Sequence, residues 1–119
     1  MRIIYHLVPT DIWTASTSDS YTDPSLEREG FIHCSNADQV ATIANLFYAN
    51  QQALTVLHIN ADSLSSLVKD EAPHPPPTGE AIDPSSTFPH IYGPIPRGSI
   101  LQAQPLQRNK EGQWTFVDA

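Results

Sequence analysis

Phe31-Ile32-His33-Cys34-Ser35, set between Gly30 and Asn36, is the stretch whose reading decides the fold of this chain. Upstream of it, Asp23-Pro24 reads as a helix start, an acidic cap followed by proline at the first helical position. Leu26, Glu27, Arg28 and Glu29 continue one turn, and Gly30 supplies the left-handed residue that ends it. The next five residues alternate as a strand, with Phe31, His33 and Ser35 on one face and Ile32 and Cys34 on the other. Asn36, with Gln39 three residues on, is a capping-box-like start for a second helix. His33 is therefore expected on a strand between two helix ends. It would lie beside the free amides of the second helix's first turn, where an anionic or hydroxyl-rich ligand is favoured.

Working outward, residues 2 to 8 read as a first strand whose apolar side chains occupy both faces, so it should be covered on both sides. His6 shares a face there with Ile4 and Val8. Pro9 and Thr10-Asp11 open a short helix carrying Ile12, Trp13 and Ala15, and Ser16 to Tyr21 reads as a loop. Val40, Ile43, Ala44 and Phe47 keep helical spacing, which predicts a helix from Asn36 to about Asn50. Leu54 to Ile59 is a buried strand, Ala61 to Leu67 a short helix, and Val68 to Ala72 a further strand. Pro73 to Thr87, with His74-Pro75-Pro76-Pro77, is an irregular surface loop or a lid over a site. Phe88 to Pro94 returns to a strand. Ile100 to Leu106 and Gln113 to Val117 read as a closing pair around a turn at Asn109 to Gly112. Short strands with about three short helices predict a compact α+β domain over residues 1–119 with a split, mixed sheet.

Size and charge narrow the partners. At 119 residues the chain supports one core. Ile3 to Val8 is too short an apolar run for a signal peptide, and no stretch reaches transmembrane length. The single cysteine leaves no disulfide framework, so a reduced, cytoplasmic protein is expected. The formal charge of -7, with six scattered Lys and Arg, argues against nucleic acid or an anionic membrane surface as partner. A small-molecule ligand fits this balance.

His6, His33 and His90 each fall in an expected strand among apolar neighbours. Singly, each reads as a structural histidine at the core edge; together they point to a shared polar site. No pair has His-x-x-x-His or comparable spacing, so no metal is assigned. Cys34 faces away from its neighbour His33 and reads as a small buried residue, not a nucleophile. Glu71 follows a strand and Glu80 lies in the proline-rich loop; surface charge is the plain reading of both. Trp13 and Trp114 read as packing anchors, and His58 and His74 carry no signal.

Ile4-Tyr5-His6-Leu7-Val8-Pro9, Trp13, Tyr21, Ser25-Leu26, Glu29 to Ser35, Gln39-Val40 and Phe88-Pro89-His90-Ile91-Tyr92-Gly93-Pro94 together resemble the small bacterial family DUF952 over nearly the whole chain. Pro73 to Thr87 is longer than that pattern, and Arg97-Gly98-Ser99 departs from it. The resemblance implies a fold similar to that of ADP-ribosyltransferases, in which a split sheet holds NAD. Gly30 to Ser35 is similar to the second histidine motif of tRNA 2′-phosphotransferases. By that likeness His6 would bind a ribose hydroxyl or the pyrophosphate side of NAD, and His33 with Ser35 the nicotinamide ribose. The third, acidic position has Glu71, or His90 with Tyr92, as candidates. The implied set is thus His33 and Glu71 for catalysis, with His6, Tyr21, Ser25, Ser35, His90 and Tyr92 for binding. Two functions follow: an NAD-dependent ADP-ribosyltransferase-like enzyme, or a non-catalytic module that binds a small ligand or nucleotide.

Overall fold

The computed structural model describes residues 1–74 and 82–118. In chain order the elements are β1 (Ile3–Pro9), α1 (Thr10–Ala15), β2 (Ser20–Tyr21), α2 (Pro24–Glu29), β3 (Ile32–His33), α3 (Val40–Phe47), β4 (Leu54–Asn60) and β5 (Val68–Glu71). There follow β6 (Phe88–Ile91), β7 (Ile95–Pro96), β8 (Ile100–Pro105), β9 (Gln107–Arg108) and β10 (Trp114–Thr115). The stretch of the expected proline-rich loop from 75 to 81, which holds Glu80, lies outside the described residues.

Two three-stranded sheets carry the α+β fold, ordered β1-β4-β8 and β3-β6-β5. They meet at a single residue pair, Tyr5 opposite Ser35. There each backbone N–H donates to the other's carbonyl, at 2.9 and 2.7 Å. Beyond that pair the sheets diverge, so the expected split is present. Every described strand pair is antiparallel, where a mixed sheet was expected. A parallel pair needs a long crossover, usually helical, and the helices here run only six to eight residues.

β1 is buried on both faces, as its apolar run predicts. Ile4 and Val8 join Tyr21, Ile32, Leu57, Ile59, Ile91 and Ile95 in one core cluster. Tyr5 and Leu7 point the other way, to Val40, Ala44, Leu54, Val56, Leu106 and Trp114. Full burial of such side chains is worth about 1.5–3 kcal/mol each. α3 therefore closes the second face, while the first holds the histidine of β1.

Several boundaries differ from expectation. The second helix opens with a 3-10 turn, Ala37–Gln39, and stops at Phe47, where the Tyr48 N–H caps the Ala44 carbonyl. Only a 3-10 turn, Ala61–Ser63, forms in place of the expected helix to Leu67. The strand around His33 is two residues long, with Ser35 rejoining through the Tyr5 pair. The closing hairpin is β9 with β10; β8 instead pairs with β4, ending at Pro105, which sits opposite Thr55. The Leu106 N–H then bonds the Leu54 carbonyl and turns the chain out of that sheet.

Arg97, at the departure from the family pattern, fastens the loop before β2. Its guanidinium donates to the carbonyls of Ser16 and Ser18 and lies 4.7 Å from the Trp13 ring centre. Gly93 passes so close to Ser66 that an added Cβ would lie 2.0 Å from its Oγ and 2.8 Å from its Cβ. No described helix is long and apolar enough to cross a membrane.

Candidate functional site

A cavity of about 390 Å³ is lined by residues from both sides of the sheet junction, among them His6, His33, Ser35 and His90. Asp23, Ser25, Arg28 and Glu29 from the α2 segment, and His74, complete its polar lining. Leu7, Ile43, Phe47, Tyr48 and Phe88 supply apolar wall. The imidazoles of residues 6 and 33 thus face one hollow. Its size falls in the ordinary range of small-ligand sites, about 300–1,000 Å³.

His6 is 3 % exposed, and both ring nitrogens are engaged. Nδ1 lies 2.7 Å from the His33 carbonyl, which only accepts, so Nδ1 carries a proton. Nε2 is 3.2 Å from the Tyr21 hydroxyl and 3.6 Å from the Asp23 carboxylate. Asp23 also caps α2, accepting the Ser25 N–H at 2.9 Å. Burial pushes the Asp23 carboxyl up, but the His6 imidazole and the Ser25 N–H outweigh it and hold the group well below the usual carboxylate range. Burial, with the Asp23 charge behind it, pushes the Tyr21 phenol up.

Gly30 adopts φ 91° as the expected left-handed residue, and the turn brings His33 back over Glu29. Nε2 of His33 is 2.7 Å from Glu29 Oε2, and His74 Nε2 is 3.7 Å from the other carboxylate oxygen. The His33 hydrogen bond, with help from His74 and Arg28, holds the Glu29 carboxyl below its ordinary value. An ionised carboxylate only accepts, so Nε2 of His33 carries a proton, and whenever the ring is neutral the lone pair is on Nδ1.

His90 is stacked flat on Phe31, with ring centres 4.1 Å apart, and His33 and His74 meet the same phenyl edge-on. His90 Nδ1 lies 2.9 Å from Glu71 Oε1, the oxygen that also accepts the Tyr92 hydroxyl. The Tyr92 and His90 hydrogen bonds hold Glu71 below its ordinary range, while burial pushes His90 down against the pull of Glu71.

Of the residues singled out from sequence, His6, Ser25, His33, Ser35 and His90 come together at the cavity. Glu71, Tyr21 and Tyr92 are not among its lining; Glu71 and Tyr92 support His90, and Tyr21 supports His6. The carboxylates that line the cleft are therefore those of Asp23 and Glu29, while Glu71 is not among its lining. Asp23, Arg28, Glu29 and His74 escaped the sequence reading. Only the four-residue spacing from Glu29 to His33, interrupted by a left-handed glycine, signalled the pairing. Burial pushes the Cys34 thiol up, in keeping with an inert residue. At the start of the second helix the Asn36 N–H donates to the Gln39 side chain at 2.8 Å, and the Gln39 N–H to the Asn36 carbonyl at 2.9 Å. Asp38 and Gln39 line a second hollow of about 260 Å³.

A family described as "Protein of unknown function (DUF952)" matches residues 7–103. The crystal structure of protein CC0527 from Caulobacter crescentus is similar, with TM-score 0.75, 23% identity, and coverage of 96% of this chain and 94% of that one. The solution NMR structure of CC0527 agrees, with TM-score 0.72, 24% identity, and coverage of 95% and 91%. At that identity the likeness speaks for the fold alone. No curated protein matches the chain.

Proposed function

The chain belongs to the DUF952 family, and we propose that its cavity binds NAD through the nicotinamide end and acts at the nicotinamide glycosidic bond. One observation carries this reading: His6 and His33, the two histidines of the motif, line a single cavity. Its volume of about 390 Å³ suits one half of a dinucleotide, with the remainder passing out by Arg28. In such a reaction the bond from ribose C1′ to the ring nitrogen breaks, nicotinamide leaves with the electron pair, and positive charge develops on the sugar. The carboxylates of Asp23 and Glu29 are the groups able to stabilise that charge, since electrostatic stabilisation in a water-poor site is strong. The acceptor forms the new bond to C1′ and gives up a proton, for which Nδ1 of His33 has the free lone pair.

The test is calorimetric titration with NAD, followed by chromatography for nicotinamide with candidate acceptors present. Binding with release is expected, and His33→Ala should cut turnover far more than it lowers the melting temperature. No binding at all would overturn the proposal. Binding without release would select the second reading, a non-catalytic nucleotide-binding module. That reading is favoured by the place of Glu71, which touches the cavity only through His90.

A further inference from the structure

Resting on the nucleotide reading above, we propose that Asp23 and Ser25 form the floor of the cavity and recognise neutral sugar hydroxyls there, excluding a phosphate. The anionic part of the ligand is left to Arg28 at the rim.

Ser25 is 2 % exposed and lines the cavity, and its Oγ, though near enough to the Asp23 carboxylate to help hold it ionised, closes no hydrogen bond of ordinary geometry among the described residues. Buried hydroxyls in folded proteins are almost always paired, so an orphan on a cavity wall marks a place where a ligand completes the bonding. Its neighbour Asp23 is an acceptor only. One oxygen takes the Ser25 N–H, and the other lies 3.6 Å from His6 Nε2 with lone pairs to spare. Whatever meets this floor must therefore donate hydrogen bonds. A phosphate brings acceptors and negative charge against the carboxylate, and is rejected on both counts. A cationic amine would suit the carboxylates of Asp23 and Glu29 but leave the Ser25 hydroxyl unmatched. Ser25 and Ser35, both in the lining, match the hydroxyls of a polyol, and exposed Arg28 suits an anion at the entrance. The cavity is thus polarised, with an acceptor floor and a cationic rim, which is the pattern of a sugar carrying a phosphate at its far end.

The decisive experiment follows backbone amide shifts by NMR while D-ribose 5-phosphate or 2-deoxyribose 5-phosphate is added to the full chain. Ribose 5-phosphate should shift the Asp23 and Ser25 amides and bind at least tenfold more tightly than the deoxy sugar. Ser25→Ala should weaken ribose 5-phosphate at least tenfold while leaving the melting temperature nearly unchanged, because only a long contact with Asp23 is lost. Equal binding of the two sugars, binding of neither, or a clear fall in the Ser25→Ala melting temperature would overturn the assignment. NAD cleaved equally by wild type and Ser25→Ala would leave the nucleotide reading standing and remove the floor. Discrimination between the sugars with no NAD binding would do the reverse.

Discussion

Two histidines placed alike by sequence play opposite parts. His6 has both nitrogens committed inside the protein, whereas His33 keeps one nitrogen free among the described residues and its side chain 39% exposed. His6→Ala would leave the His33 carbonyl and the Tyr21 hydroxyl without their partner, and should destabilise the fold by about 2–4 kcal/mol. His33→Ala gives up one half-exposed pair with Glu29 and should cost no more than about 1 kcal/mol. Paired thermal melts check this ordering; equal losses would refute it. The sequence showed that both residues mattered and could not separate them, because the partners of His6 come from Tyr21, Asp23 and His33, on three different segments. Glu29 was hidden for a related reason. Its contact with His33 depends on the backbone reversal at Gly30, which the sequence does show, and on a side-chain direction, which it does not.

Elements with strong punctuation were legible: the Asp23-Pro24 start, the Gly30 stop, the two-faced β1 and the turn at Asn109 to Gly112 all stand where residue chemistry put them. Pairing partners were not. That β8 lies on β4 while β9 takes β10 is decided by tertiary register at Pro105, not by local pattern. Gly93 shows the same limit. Its place in a strand-ending motif was clear, but its reason is the backbone's approach to Ser66. Gly93→Ala should therefore cost about 1–3 kcal/mol from the forced overlap. Adding Ser66→Gly should restore most of the loss. Denaturant unfolding of the two variants tests this, and a double variant no better than the single one would sink the explanation. Arg97, legible in the sequence only as a departure from the family pattern, proves to be a clamp on the segment from Ser16 to Asp19.

For the molecule as a whole, Tyr5 is the joint. Its backbone ties the two sheets through Ser35, and its hydroxyl donates to Asp118 at 2.8 Å, near the end of the described chain. Burial first, then the Asp118 hydrogen bond and charge, push its phenol up to about 12. The folded state thus holds this proton more tightly than the unfolded chain, whose tyrosines titrate near ~10. The stabilisation is whole below that value and is lost as pH climbs from ~10 towards 12, since the unfolded chain sheds the proton first. Melting temperatures taken across this window should fall less steeply for Tyr5→Phe than for wild type. Tyr21 is shifted in the same direction, so some decline remains in the variant. An unchanged slope would show that Tyr5 is not the residue responsible.

The flat contact between Phe31 and His90, with the rings of His33 and His74 turned edge-on around the same phenyl, carries a spectroscopic consequence. Circulating π electrons shield protons above a benzene face and deshield those in its plane. The carbon-bound protons of His90 should resonate upfield of the other imidazoles, giving each histidine around the cavity its own address in a one-dimensional spectrum. An arriving guest that tilts the phenyl would announce itself there without any label.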